Sequence, residues 1–179
     1  MEFQLKTIST SGVAEALSKA ALYRSLNEPE EAESICHDIL AIEPGNQMAQ
    51  RTLGLAITDQ FTGETSDRYA EGETLFDHLT DPYERNYYLG LLYERRAKAQ
   101  MSAGRPAEVL VALFTDAMRY FEEAERIHPP NNDDAVLRWN RCVRLLNKLP
   151  EVETRESEPT FEDHDGTPVE MMRRDRKAG

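Results

Sequence analysis

The stretch Asn27 to Asn46, NEPEEAESICHDILAIEPGN, sets the length of the structural unit from which the rest of the chain is read. Ala32, Ile35, Cys36, Ile39, Leu40 and Ile42 recur at the three-and-four spacing of one helical face, and Glu30, Glu31, Glu33 and Asp38 occupy the opposite face. Asn27 is a capping residue by type, Pro29 suits a first helical turn, the adjacent acids complement the positive end of the helix dipole, and Pro44-Gly45-Asn46 ends the run. A single amphipathic helix cannot bury its apolar stripe alone. Two further copies of the pattern occur, Tyr69 to Pro82 and Asp116 to Pro129, each behind another helical run.

Outward from that stretch, the spacing predicts helices over about Gly12–Leu26, Gln47–Phe61, Arg68–Leu79, Tyr83–Ala103, Ala107–Ile127 and Asp133–Leu149. Residues 1–12 read as an extended arm along the first helix. Thr62 to Asp67 is a polar loop with a glycine breaker, and Gly104-Arg105-Pro106 and Pro129 to Asn132 are the later stops. Arg95, Arg96 and Lys98 fall near the end of their helix, where cations suit the negative pole of the dipole. Val136, Trp139, Cys142, Val143 and Leu146 form the stripe of a terminal, covering helix. Residues 150–179 form an acidic tail with a composition typical of disorder: Glu151 to Asp165 holds seven acids and one Arg, before a basic end at Arg173, Arg174, Arg176 and Lys177.

The 179 residues suffice for one domain with a helical core, and Cys36 and Cys142 both fall inside apolar helical patterns, as small core residues do. The amino terminus has no apolar run of signal-peptide length, and the longest such run, Val109 to Phe114, is too short to span a bilayer, which predicts a soluble, cytoplasmic protein without membrane insertion. With 33 acids against 21 cations the net charge is −12, unfavourable for nucleic acid, and no basic patch stands out in the sequence.

The pattern resembles the tetratricopeptide repeat family, whose antiparallel helix pairs stack into a right-handed superhelix. Val13 to Asn46 spans 34 residues, the family length, with Ala20, Tyr23, Ala32, Cys36, Ile39 and Pro44 at matching positions and Lys19 departing from an expected Leu. Leu53, Gly54, Ile57, Ala70 and Pro82 match in a second unit, and Leu89, Gly90, Tyr93, Ala117, Phe121, Ala124 and Pro129 in a longer third. The resemblance implies an all-α fold over residues 13–149, three helix-pair repeats and a capping helix.

It also implies a non-enzymatic scaffold or adaptor that holds a peptide or helix of a protein partner in a concave groove lined by the first helix of each pair. Carried over by position, the groove comprises Leu17, Ala21, Arg24, Met48, Arg51, Leu55, Thr58, Tyr87, Leu91 and Glu94, with Ala14 and Glu84 beside them. Two alternatives are a chaperone for a secreted or assembling client and a structural subunit of a larger complex. The carboxylate clamp of the chaperone-tail binders is missing: its positions hold Leu17, Ala21, Thr52, Glu84 and Tyr88, which supply no cation or amide. Asp163 to Thr167, DHDGT, spells a phosphatase nucleophile string but lacks the preceding apolar strand and the α/β domain that chemistry needs. His37, His78 and His128 have no partner at ligand spacing, so neither a metal, a cofactor nor a catalytic constellation is expected.

Overall fold

Seven α-helices make up the described part of the chain, residues 3–149 of the computed structural model, and no strand occurs among them. They are α1 (Val13–Ser25), α2 (Pro29–Ile42), α3 (Gln47–Asp59), α4 (Tyr69–Asp77), α5 (Pro82–Ser102), α6 (Ala107–Arg126) and α7 (Asp134–Leu146). A short 3-10 turn, Thr10–Gly12, leads into α1. The tail, the DHDGT string and the basic end lie outside the described residues.

The helix ends follow local chemistry. Asn46 caps α3 by accepting a hydrogen bond from the Ala49 amide, and Asp81 caps α5 by accepting one from Glu84, with Pro82 in the first turn. At α2 the expectation fails. Asn27 is not the cap; it takes the left-handed conformation, φ +62°, that closes the preceding helix, and Glu28 precedes Pro29 without a side-chain cap. A short polar side chain tolerates that region, so the residue turns the chain rather than opening the helix.

Each helix packs on its neighbours in sequence, and α1, α3, α5 and α7 also touch one another in that order. Short connections make successive helices antiparallel, which leaves the odd-numbered helices side by side and parallel. The core is accordingly distributed along the stack: Ala20, Ala32, Cys36, Leu53, Ala56 and Ile57 fill one end, Phe76, Leu79, Leu89 and Leu92 the middle, and Leu110, Phe114, Ala117, Phe121, Ala124, Cys142 and Leu145 the other end. Ile8 of the arm packs beside Val13, Ile39 and Ala49, whereas Phe3 and Leu5 are exposed, so only the last part of the arm lies on the body.

One contact recurs. A Cβ built on Gly54 of α3 would stand 2.5 Å from the Phe76 ring of α4, and one on Gly90 of α5 would stand 2.7 Å from the Phe121 ring of α6. In both pairs the missing side chain is what lets a fully buried phenyl ring reach the backbone of the facing helix. The small partner on α4 is buried Gly72 and not Ala70, which is exposed; the polar loop before α4 shifts the register by two residues. Trp139 is half-buried against the last cluster, at the rim of α7 rather than in its centre.

Candidate functional site

The positions proposed for the groove lie on α1, α3 and α5, and burial divides them. Ala14 and Ala21 are exposed, and Met48 retains 54% of its surface. Leu17 is half-buried against Val13, Ile39 and Ala49, and Leu55 against the cluster around Phe76 and Leu92. Thr58, Leu91 and Glu94 are buried and present nothing to a partner, contrary to the sequence expectation. For Leu91 and Glu94 the reason is lateral cover: α5 lies between α3 and α7, so positions that would be open on an edge helix are closed on this one. Tyr87 turns inward, stacked with Tyr83 at 5.9 Å between centroids and 6.0 Å from Phe121.

What joins these helices across the face is a ladder of charges. Asp59 at the end of α3 accepts from Arg24 of α1 at 2.8 Å and pairs with Arg95 of α5 at 2.5 Å. Arg95 also donates to the Leu55 carbonyl at 3.1 Å and to the Thr58 hydroxyl at 2.5 Å, which is how Thr58 comes to be covered. Two to three turns back along α3 and α5, Arg51 pairs with Glu84 at 2.5 Å and sits over the Tyr88 ring at 5.8 Å. Burial, largest among its causes, lowers the Arg95 guanidinium from its ordinary value, and the neighbouring Asp59 opposes it.

Glu94 is the most enclosed charge, with no exposed surface. Its Oε1 takes Lys98 at 3.3 Å and Arg138 of α7 at 3.5 Å, while no described group reaches Oε2. A carboxylate removed from water is retained only where cations compensate it, and the last odd helix supplies one of the two. The sequence placed Arg95, Arg96 and Lys98 near the end of a helix running to about Ala103; α5 does end at Ser102, but its last turn holds no cation and these three turn to named partners. Arg96 lies 3.4 Å from the centroid of Tyr69. Asp59, Arg95, Lys98 and Arg138 are thus the residues of this face that sequence reasoning missed. In the sequence Arg95 and Lys98 read as the basic end of a helix, with nothing to tie them to Asp59 or Glu94.

At the carboxyl ends of α3 and α5 the ladder opens into a cleft of about 410 Å³ lined by Thr58, Asp59, Phe61, Arg95, Lys98 and Ser102. Elsewhere, Glu33 of α2 accepts Arg68 through both oxygens at 2.8 and 2.7 Å, and that pair holds its carboxyl down at about 2. Both cysteines are free and buried, and burial pushes each thiol up to about 12. Among the described residues no group of three or more His, Cys, Asp or Glu side chains is placed to hold a metal ion, and no helix is long and apolar enough to cross a membrane. No protein-family model matches the chain, and no curated protein matches it.

Proposed function

We propose that the chain is a non-enzymatic binding scaffold of the tetratricopeptide type, with three helix pairs (α1–α2, α3–α4, α5–α6) capped by α7, and that the face of the odd helices receives a segment of a partner protein. The observation that supports this reading is the repeated contact of a glycine with a phenyl ring, Gly54 with Phe76 in α3–α4 and Gly90 with Phe121 in α5–α6, as expected of two copies of one unit. Copies stacked side by side leave one continuous face, and on it Ala21, Met48 and the outer edges of Leu17 and Leu55 are apolar footholds among charges. Such a face suits an extended or helical peptide with a few apolar anchors.

The open residues define the test. A photo-crosslinking side chain at position 21 or 48 should capture a partner in cells of origin, and the same group at Val109 or Val111 on α6 should not. Ala21→Trp and Met48→Gln, both at exposed sites, should abolish co-purification of that partner with unchanged circular dichroism. Crosslinks from α6 alone would favour the structural-subunit alternative, since Val109 and Val111 keep 44% and 36% of their surface.

A further inference from the structure

The whole-chain charge of −12 conceals a division by helix. The even-numbered helices α2, α4 and α6 carry twelve acids and two cations, Arg119 and Arg126. The odd-numbered helices α1, α3, α5 and α7 carry ten cations against five acids. Not all ten belong to the shared face, since Arg96 lies over Tyr69 of α4 and Lys19 pairs with Glu15 along α1; five of them, Arg24, Arg51, Arg95, Lys98 and Arg138, meet three acids, Asp59, Glu84 and Glu94, among the odd helices, so that layer has an excess of positive charge while the even helices form an acidic layer. The sequence showed no basic patch because the cations are dispersed along the chain and only the stack brings them together.

Not all of that charge is spent internally. Arg24 and Arg95 share the single Asp59, and Lys98 and Arg138 share the single Glu94. Each carboxylate therefore serves two cations, and positive charge remains at both rungs. On α7, Arg138 reaches Glu94 of α5 while Val136 and Trp139 stand beside Glu122 and Glu125 of α6. Arg141, exposed and three residues beyond Arg138, continues on the Arg138 side of α7, whereas Arg144 follows Asn140, which stands with Val136 and Trp139 beside α6. The cleft between Asp59, Arg95 and Lys98 continues this surface toward α3.

We infer that the occupant of the odd-helix face is an acidic segment of another protein, rich in Glu or Asp and bearing one or two apolar side chains for Ala21 and Met48. The inference rests on the binding face proposed above and adds its charge. The paired cations are held in place before binding by Asp59 and Glu94, so a carboxylate-bearing segment meets guanidinium groups already ordered, with little further loss of side-chain freedom. The acidic outer layer repels the same segment, which confines it to one side.

The test uses the full chain labelled for amide NMR and three fluorescent probes: a short Glu/Asp peptide with two Leu, a neutral Ser/Gln peptide with the same two Leu, and a short single-stranded oligodeoxynucleotide. The acidic peptide should bind, shift amides of α1, α3, α5 and α7 rather than of α2, α4 and α6, and weaken severalfold as NaCl rises from about 0.05 to about 0.3 M. Arg141→Glu, at an exposed position, should weaken it severalfold again with the thermal midpoint unchanged. Equal binding of the neutral peptide on the same helices would leave the binding face standing and overturn its charge preference. Shifts confined to the even helices, or no binding of the acidic peptide, would overturn the inference, as would an oligonucleotide that shifts the odd helices at lower concentration than the peptide does.

Discussion

Replacing Gly90 with alanine adds one methyl group at the point where α5 and α6 meet most closely, and the structure fixes what that group encounters. The new Cβ would lie 2.7 Å from Cδ1 and Cε1 of Phe121 and 3.1 Å from its Cζ. Relaxed carbon contacts are about 3.5–4.0 Å, so the ring or the helix must retreat by about 1 Å. Phe121 has no exposed surface and is flanked by Tyr87, which leaves it little room. Overpacking of this kind costs about 1–3 kcal/mol, while alanine gains about 1 kcal/mol over glycine inside a helix. The net loss is then up to about 2 kcal/mol, a fall of up to about 8 °C in Tm for a chain of this size. In a Phe121→Leu background the clash is relieved, so the same alanine should be neutral or stabilise by about 1 kcal/mol. Urea and thermal unfolding of the four proteins of this cycle, followed by circular dichroism, measures the coupling directly. Gly54→Ala, whose added carbon would approach the Phe76 ring to 2.5 Å, should be the more costly of the two. A Gly90→Ala protein more stable than the parent would refute the reasoning, because the helix pair would then not be set by glycine against ring.

Glu94→Ala should destabilise by about 1–3 kcal/mol, since it removes the carboxylate that Lys98 and Arg138 share while those cations, 40% and 38% exposed, can turn to water, and Glu94→Gln should cost less; urea midpoints decide it. Trp139→Ala should cost about 2–3 kcal/mol, below the value for a fully enclosed indole, because its ring sits at the rim of α7. Cys36 and Cys142 should resist a thiol reagent in the native protein at pH 8 and react at once in denaturant, as thiols pushed up to about 12 inside the core require. Arg68→Gln should destabilise modestly at pH 7, by no more than about 1 kcal/mol for so exposed a guanidinium. The Glu33 carboxyl is depressed from 4.5 to about 2 in the folded state, so its contribution is complete above pH 4.5 and lost as pH falls through 2; the gap between the two proteins should close over that window.

Helix existence was legible because its causes are local. Pro29, Pro82, Asn46, Asp81 and Gly104 act on their own backbone, and apolar side chains at three-and-four spacing mark a buried stripe whatever covers it. Of the proposed face, Ala21 and Met48 could be placed as open, whereas Thr58, Leu91 and Glu94 could not be recognised as closed. Periodicity gives the direction of a side chain on its own helix and nothing about how near the next helix stands.

The sequence by itself thus determined seven helical segments and the small-residue pattern at Gly54 and Gly90 that lets two of them approach their neighbours. Only the tertiary structure decided that Gly72 rather than Ala70 is buried, that Asp59 serves both Arg24 and Arg95, that Arg138 closes over Glu94, and that Arg51 of α3 meets Glu84 of α5. The difference is one of range. Backbone preference and helical period act within about four residues, while ion pairing and burial depend on distances between groups 35 to 44 residues apart, which only the packed stack sets.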